Sequence, residues 1–339
     1  MSSKERLEII AEIGSSHDGS LGNAIKLVEI AAKSGFNSVK FQHHIFKDES
    51  LNDALNPPYF TQESREDYFN RIQFSKDDWI LIKKVCEQNK INLIVSPFSF
   101  IALEELISLE IKNIKIASGE ISNLKLLDSS AKLSELLYLS TGMSDYEEID
   151  KTIEFLSARR KQLYLFQCTS KYPCPPEDIG LNLIEEFGSY KNKFKDFKVG
   201  LSDHSLGNVA SILSIGAGGL IIEKHICFSN EMYGSDAVNA LEVSKLPNYI
   251  NQLREAYTIK NSKSDKKISS ELMEMRQIFC KKLIAIKDIP KGSKISESNI
   301  GLKKTSKRSF TSPNYFASLG KTVAKDIIKN DLIEEGDLI

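Results

Sequence analysis

The sequence lacks the features of a membrane, secreted or nucleic-acid-binding protein. No apolar stretch approaches the roughly 20 residues needed to cross a bilayer, and the opening residues, MSSKERLEII, lack the apolar core of a signal peptide. The 5 cysteines are widely scattered, without a CxxC pair, which argues against a disulfide scaffold or a structural zinc site. Because 45 Lys and Arg nearly balance 46 Asp and Glu, there is no excess positive charge to bind nucleic acid. These absences predict a cytoplasmic protein with reduced thiols.

What the sequence does contain is a series of eight short apolar runs, each ending in a polar or ionisable residue. The runs are LEIIAEIG (7–14), SVKFQ (38–42), LIVSPF (93–98), IKIAS (114–118), LLYLST (136–141), LYLFQCT (163–169), KVGLSDH (198–204) and GLIIEKH (219–225). A strand buried on both faces reads as a continuous apolar run, and each gap between runs has room for a helix. Eight strand–helix units predict an α/β fold, the (β/α)8 or TIM barrel, whose chemistry lies at the C-terminal ends of the strands.

Changes in composition divide the chain into three predicted parts. We expect a barrel domain over 1–262, a polar linker over 263–280 and a small, mainly β domain over 281–339. The insertion over 43–75 is too long for a plain connection and predicts an active-site lid. In the last part, KKLIAIKDIPKGSKISESNI and LGKTVAKDIIKNDLIEEGDLI look alike, because each joins an apolar piece to a KDI and then a turn.

Two histidines predict a metal site, since His204 and His225 end the seventh and eighth runs. Adjacent strand ends lie side by side in a barrel, so two imidazoles could share a divalent metal whose open positions take water and substrate. Asp203 and Glu223 would then hold the tautomers of the two rings. The alternative is that each histidine is an isolated residue of the core or the rim.

Lys40 and Lys115, at the second and fourth runs, indicate an anion site. A lysine that points into a barrel needs a negative partner, because an unpaired buried charge is costly, and a phosphate or carboxylate ligand supplies one. Hydroxyl groups of the kind that bind phosphate oxygens occur on several strand ends, at Ser96, Ser118, Ser140 and Ser202. The alternative is a structural network in which the lysines pair with Glu12, Glu120 and Glu223.

Longer motifs carry a resemblance to a known family. The segments AEIGSSHDGSLGNAIKLVEIAAKSGFNSVKFQ, SPFS, KIASGE, LSTGM, QCTSKYP, GLSDH, EKH and GSD follow one another as they do in the sialic acid synthase family, and the similarity extends into a C-terminal antifreeze-like (SAF) domain. The chain resembles enzymes that condense phosphoenolpyruvate (PEP) with an N-acylated amino sugar to make nonulosonic acids. It is less similar to the synthases of 3-deoxy-heptulosonate and 3-deoxy-octulosonate phosphates.

The resemblance implies a role for each matched residue. It implies PEP binding by Lys40, Ser96, Lys115, Ser118, Ser140, Ser170 and Ser202. It implies sugar binding by Glu12, Gln42, Tyr172, Asp236, Lys304 and Arg308. It implies a divalent metal, Mn²⁺ with Mg²⁺ or Co²⁺ as alternatives, on His204 and His225. Glu120 is the expected proton-transfer residue and Glu12 the second candidate, and a homodimer with exchanged SAF domains is the expected assembly.

Three departures from the family pattern fall mostly on the sugar side. Ser170 stands where many relatives carry Asn, and Ala237 stands where they often carry His. Lys304 stands where the SAF domain usually has the Arg of a KRPG motif, and a Lys offers a point charge instead of a fork of donors. The acceptor sugar is therefore left open between N-acetylmannosamine and a 2,4-diacetamido-2,4,6-trideoxyhexose.

Other interpretations stay open at this stage. The barrel could belong to another PEP-dependent 3-deoxy-ulosonate synthase, to a metal-dependent hydrolase or to a non-catalytic sugar-binding homologue. The hydrolase is disfavoured because AEIG lacks the paired histidines with which such sites usually begin. Tyr172 could be a rim aromatic and Asp236 a helix cap. Cys168 and Cys174 are expected to be inert packing.

Overall fold

The first compact unit, Met1–Ser262, is a closed barrel of eight parallel strands. This computed structural model describes residues 6–56, 63–307 and 314–339. The strands are β1 (Glu8–Glu12), β2 (Ser38–His43), β3 (Asn92–Pro97), β4 (Asn113–Ile116), β5 (Leu136–Ser140), β6 (Gln162–Cys168), β7 (Asp196–Asp203) and β8 (Ile221–Cys227). They pair in chain order, and β1 also pairs with β8, which closes the ring. The TIM barrel predicted from the apolar runs is confirmed.

Helices cover the outside of the barrel, apart from α2 and α3, which belong to the insertion over 43–75. They are α1 (Leu21–Ser34), α2 (Phe46–Glu49), α3 (Arg65–Ile72), α4 (Lys76–Gln88), α5 (Phe100–Ser108), α6 (Leu124–Leu133), α7 (Tyr146–Ser157), α8 (Asn182–Phe187), α9 (Val209–Gly216) and α10 (Leu246–Asn261). The first begins where the Ser20 side chain accepts a hydrogen bond from the Asn23 amide, and it ends at Gly35, whose φ of 98° suits a residue without a Cβ. Within the described ranges, no helix has the length and apolarity to cross a membrane.

Two apolar layers fix the position of the cavity. The larger lies between the strands and the helices and contains fully buried side chains such as Leu27 and Trp79. The smaller fills the barrel interior with Ile10, Ile94, Tyr138, Tyr164, Phe166 and Ile221. Because this inner layer plugs the barrel, open space is left only beyond it, at the C-terminal ends of the strands.

The predicted lid contains two short helices, α2 and α3, among its described residues, while 57–62 lie outside them. The lid has a small apolar cluster of its own, made of Phe46, Tyr68, Phe69 and Ile72. It is joined to the barrel by an ion pair between Arg71 and Asp18 at 2.5 Å. The Tyr68 hydroxyl also lies 3.2 Å from that of Ser235. The lid therefore lies against the mouth of the barrel.

The second compact unit, Lys263–Ile339, contains a small antiparallel sheet. After the two-residue strand β9 (Leu241–Glu242) of the first unit come α11 (Ser270–Phe279), β10 (Lys282–Ala285), β11 (Ile300–Lys303) and α12 (Tyr315–Ser318). The two KDI segments pair with each other, because Ile289 and Ile327 exchange backbone hydrogen bonds of 2.8 and 2.9 Å. Helix α11 lies in the segment that composition alone predicts as a linker.

One glycine of the barrel gives a test of this packing. A Cβ on Gly200 of β7 would lie 1.7 Å from the carbonyl oxygen of Ile221 on β8, so Gly200→Ala must push the two strands apart. We expect the free energy of unfolding to fall by more than about 3 kcal/mol, measured by urea denaturation. Gly216→Ala at the end of α9 is the control, because its Cβ would meet no atom within 4 Å. Equal stability of the two variants would contradict the strand packing described here.

Candidate active site

The candidate active site is a cavity of about 510 Å³ at the C-terminal ends of the barrel strands. Its wall contains all the sequence-predicted site residues except Lys304 and Arg308. The barrel brings them together because inward-facing residues alternate along each strand and the strand ends meet around one opening. A larger cavity of about 650 Å³ lies outside the barrel beside Leu206 and Val209. Its wall is mostly apolar, so the chemistry favours the barrel cavity.

A cluster of two lysines and two glutamates lies at the bottom of the cavity. Lys40 lies 2.9 Å from Oε1 of Glu12, and Lys115 lies 2.7 Å from Oε1 of Glu223. Lys40 is also 4.0 Å from Glu223, which joins the two pairs. Ser202 donates to the same oxygen of Glu223 at 2.9 Å. All four ionisable side chains are buried, so each lysine has the partner that its burial requires.

The two glutamates have different protonation behaviour. Burial raises the pKa of Glu12 to about 7, although Lys40 partly opposes this effect. Burial acts in the same direction on Glu223, but the charges of Lys115 and Lys40 outweigh it and lower the pKa of Glu223 to about 2. The Oε2 atoms of both side chains are buried without a hydrogen-bond partner among the described residues. Glu12 can therefore exchange a proton near neutral pH, while Glu223 stays ionised.

Serine hydroxyls surround the lysines. The Ser118 hydroxyl donates to that of Ser140 at 3.0 Å and accepts from the Gly142 amide at 3.0 Å. Ser96 lies 3.5 Å from the Lys40 ammonium group. Gly142 is needed here, because its Cβ would lie 2.5 Å from the Ser170 hydroxyl and 2.8 Å from that of Ser118. The result is a set of small donors and acceptors around two cations.

The two histidines of the predicted metal site are neighbours, with ring centroids 5.6 Å apart. Nδ1 of His204 lies 3.0 Å from the carbonyl oxygen of Thr169. A carbonyl oxygen only accepts, so Nδ1 carries a proton. Burial opposes a second proton on this ring, but the neighbouring Cys168 and the Thr169 carbonyl outweigh burial and raise the pKa of His204. Burial lowers the pKa of His225 to about 4, which leaves this ring neutral at neutral pH.

The residues expected to hold the histidine tautomers do not do so. Asp203 accepts hydrogen bonds from Ser205 and Ser211, and it pairs with Lys224 at 3.2 Å. Glu223 binds Lys115 and Ser202, as described above. The expectation was wrong for Asp203 because its side chain points to the opposite side of β7 from that of His204. It was wrong for Glu223, which shares a face with His225, because Lys115 and Ser202 bind its carboxylate instead.

The histidine pair fits a divalent metal in its donor chemistry. One ring nitrogen of His225, Nδ1, is buried without a hydrogen-bond partner among the described residues, and its ring is neutral, which is the form that binds metals. No cluster of three or more His, Cys, Asp or Glu side chains suited to a metal occurs in 6–56, 63–307 and 314–339. A metal held by His204 and His225 would therefore take its remaining ligands from water and substrate.

Two predicted sugar contacts lie at the rim of the cavity. The Tyr172 ring stacks on His204 with centroids 4.2 Å apart, and 42% of its surface is exposed. The carboxylate of Asp236 accepts from the backbone amide of Ser15 at 2.8 Å and from its hydroxyl at 2.9 Å, and it lies 3.7 Å from His225. Asp236 makes no helix-capping bond through its side chain, so the interpretation of this residue as a helix cap was wrong.

Glu120 stands apart from the lysine cluster. Its carboxylate accepts a hydrogen bond from Asn123 at 2.8 Å, and burial raises its pKa. The lysines pair with Glu12 and Glu223 and make no described ion pair with Glu120. The alternative interpretation, in which the lysines pair with glutamates of the protein, therefore holds for Glu12 and Glu223 and not for Glu120.

The remaining predicted residues fall elsewhere. Lys304 belongs to the second unit, where its ammonium group lies 5.4 Å from the ring centroid of Phe279, and Arg308 lies outside the described residues. Cys168 is on the cavity wall, with Sγ 3.8 Å from Nδ1 of His204. Burial opposes ionisation of this thiol, but His204 and Lys115 lower its pKa to about 7. Cys168 is therefore more than the inert packing expected of it.

Sequence reasoning alone does not select several residues of the wall. These are Ser15, His44, Arg65, Tyr68, Phe69, Phe98, Met143 and Ser235. The signal for His44 is its position directly after β2. The residues of α3 have no such signal, because they lie outside the strands, and only the alternation along a strand predicts which side chains face the cavity.

Comparisons with known proteins identify relatives of this chain over most of its length. The model of the NeuB family matches residues 27–265. The N,N'-diacetyllegionaminic acid synthase of Campylobacter jejuni is 34% identical over 96% of this chain and 98% of its own. The N-acetylneuraminate-9-phosphate synthase of Homo sapiens is 26% identical over 96% and 91%. The solved N-acetylneuraminic acid (sialic acid) synthetase of Leptospira borgpetersenii has a TM-score of 0.68 at 26% identity, covering 81% of this chain and 93% of that one.

A closed (β/α)8 barrel with a charged cavity at its strand ends has the architecture of a TIM-barrel enzyme. The matched stretch spans more than half of the chain, and the relatives are similar over nearly its full length. The chain belongs to the NeuB family, and the resemblance carried by its motifs is confirmed.

The raised pKa of Glu12 predicts a dependence of stability on pH. Between its ordinary value of 4.5 and about 7, the folded state holds a proton that the unfolded chain has lost. The stability from this group is therefore complete below pH 4.5 and is lost as the pH rises through 7. Between pH 5 and 8, we expect the free energy of unfolding of the wild type to fall by roughly 2–3 kcal/mol relative to Glu12→Gln.

The measurement is urea denaturation at a series of pH values. The control is Glu29→Gln, because Glu29 is on the surface of α1, where its carboxylate pairs with the exposed Lys26. Its difference from the wild type should stay constant over the same range. If Glu12→Gln behaved like this surface variant, the protonation state assigned to Glu12 would be wrong.

Proposed function

We propose that this protein condenses PEP with the open-chain aldehyde of an N-acylated amino sugar, forming a nonulosonic acid and releasing phosphate. The observation that supports this best is the pair of buried lysines, Lys40 and Lys115, surrounded by hydroxyl groups at the closed end of the cavity. A small ligand with a carboxylate and a phosphate matches two cations with nearby donors better than a neutral ligand would. The membership of the NeuB family supports the same class of reaction.

In this proposal the inner half of the cavity binds PEP. Lys40 and Lys115 supply the positive charge, and hydroxyl donors come from Ser96, Ser118, Ser140, Ser170 and Ser202. The charges already have protein partners at 2.9 and 2.7 Å. The lysines are therefore held in place before the ligand arrives, and little reorganisation is needed on binding.

The reaction forms one carbon–carbon bond and breaks one carbon–oxygen bond. C3 of PEP attacks the aldehyde carbon, and the aldehyde oxygen takes up a proton. Water then adds to C2, which forms a second carbon–oxygen bond there, and loses one proton. Phosphate leaves with the electrons of its bond to C2, and loss of the remaining hydroxyl proton gives the C2 ketone. Glu12 and Glu120 are the proton-transfer groups in this proposal, because burial raises the pKa of both carboxyls towards the range where protons move at neutral pH.

The outer half of the cavity binds the sugar. Gln42, Tyr172 and Asp236 lie around it, and His204 and His225 would hold a divalent metal, with Mn²⁺ as the first candidate. A metal bound there supplies Lewis-acid polarisation of an aldehyde oxygen. The homodimer with exchanged C-terminal domains is part of the proposal, with Lys304 as the residue that would serve the partner's sugar site.

The acceptor is proposed from the relatives and from the departures in the sequence. A legionaminic acid synthase at 34% identity and a pseudaminic acid synthase at 29% favour a 2,4-diacetamido-2,4,6-trideoxyhexose. An N-acetylneuraminate-9-phosphate synthase at 26% keeps N-acetylmannosamine, free or phosphorylated, as the second candidate. Both acceptors share the aldehyde and the N-acyl group on which the proposed chemistry depends.

The reaction class is tested by release of phosphate. The protein is incubated with PEP, Mn²⁺ and, in turn, each diacetamido-trideoxyhexose and N-acetylmannosamine, and inorganic phosphate is followed with time. We expect release that depends on the sugar and stops when a chelator removes the metal. Release with aldose phosphates that lack an N-acyl group, and not with these sugars, would support a different 3-deoxy-ulosonate synthase instead.

The PEP site is tested by Lys115→Met, which keeps much of the side-chain volume and removes the charge. We expect KM for PEP to rise about 100-fold or more, because a charge-assisted bond in a buried site is lost. Lys198→Met is the matched control, since Lys198 is also buried but lies at the start of β7, 3.5 Å from Glu8. This control should change stability and leave KM for PEP within about twofold. A small effect of Lys115→Met would place PEP elsewhere.

A further inference from the structure

One titratable side chain of the cavity is held by contacts that the proposed reaction does not use. His44 is 5% exposed and lies between two phenylalanine rings. Its centroid is 4.1 Å from that of Phe69 on the lid helix α3 and 3.9 Å from that of Phe98 after β3, with interplanar angles of 23° and 21°. The ring is therefore fixed on both faces by one residue of the lid and one of the barrel.

Both ring nitrogens of His44 face acceptors. Nδ1 lies 3.1 and 3.0 Å from the two carboxylate oxygens of Glu49 at the end of α2, and Nε2 lies 3.2 Å from Oε1 of Gln42. The other end of the Gln42 amide, Nε2, donates to Glu12 at 2.8 Å. The carboxylate of Glu12 also accepts from Lys40, so the NH₂ group of Gln42 must face Glu12 and its carbonyl must face His44.

We propose that His44, bound by Glu49 at the end of α2, positions Gln42 and through it Glu12, and so couples the lid to the proton-transfer end of the site. His44 is a positioning residue in this chain of contacts, because Gln42 lies between it and Glu12. The assignment of a catalytic role to Glu12 rests on the proposed function; the orientation of Gln42 by His44 does not.

The pair also lies close to the second proton-transfer candidate. Burial raises the pKa of Glu120, and among the smaller effects the charge of Glu49 raises it while that of His44 lowers it. His17 and His43 are the other titratable groups that respond to His44. Loss of the charge of Glu49 would therefore act directly on Glu120, while its effect on Glu12 would pass through His44 and Gln42.

The chain offers a matched pair of variants at two adjacent positions, the last residue of β2 and the residue after it. His44→Phe keeps an aromatic ring between Phe69 and Phe98 and removes both hydrogen bonds. His43→Phe is the control, because His43 is equally buried but packs on Trp79 at 5.3 Å and binds Glu105 at 3.1 Å, outside the cavity. Glu49→Gln is the second test variant, because it removes the charge and leaves the His44 ring in place.

The kinetic experiment measures kcat and both KM values in the phosphate-release assay. For His44→Phe we expect kcat/KM for the sugar to fall about 10- to 100-fold, as for other residues that hold a functional group in place, with KM for PEP within about twofold. Glu49→Gln should shift the same constants in the same direction. His43→Phe should leave them within twofold. Unchanged constants in both His44→Phe and Glu49→Gln would overturn the proposal.

A readout independent of activity separates this inference from the proposed function. In ¹⁵N-labelled protein, the side-chain NH₂ of Gln42, assigned by its loss in Gln42→Met, should exchange slowly with solvent in the wild type and in His43→Phe. It should exchange faster and shift in His44→Phe and Glu49→Gln. No change in this signal would overturn the positioning role. Absence of sugar-dependent phosphate release by the wild type would overturn only the proposed function.

Discussion

Two ammonium groups removed from bulk water can stay charged only beside anions, and this constraint organises the mouth of the barrel. Lys40 and Lys115 meet it through Glu12 and Glu223, at 2.9 and 2.7 Å. Replacing either glutamate would leave an unmatched buried charge, which costs several kcal/mol. The cluster therefore combines a requirement for stability with a cationic surface ready for an anion. The same four residues also explain why the pKa values of the two glutamates separate in opposite directions.

The rest of the cavity is built outwards from this cluster. Hydroxyl groups lie next to the lysines, the histidine pair lies beside them, and the aromatic and acidic residues of the rim come last. The number of charged groups falls in the same order, from four buried ionisable side chains at the bottom to the carboxylate of Asp236 and the half-exposed ring of Tyr172 at the rim. This gradient suits a small, highly charged ligand at the bottom and a larger, mostly neutral one at the rim.

The barrel and most of its cavity could be predicted from the sequence, because a strand of fixed period determines which side chains share a face. Lys40, Ser202 and His225 were found in this way. The partners were harder to predict: Asp236 binds Ser15 across 221 residues of sequence, and no local pattern encodes such a pairing. Asp203 was misplaced because its side chain points away from His204's cavity. The lid residues His44 and Phe69 carried no periodic signal, since they lie outside the strands and are positioned by tertiary contacts.

The alternation of side chains on β8 has a consequence for how this sequence can change over evolutionary time. Glu223 and His225 face the cavity, while Lys224 between them is buried on the outer side with Asp203 at 3.2 Å. A single inserted or deleted residue would turn the lysine inwards and send its two neighbours into the apolar layer beneath the helices. Substitutions can accumulate along this strand one at a time, but a change in its length has no viable intermediate. Insertions and deletions are expected instead in the connections between strands and helices, such as the lid, where no strand fixes the direction of the side chains.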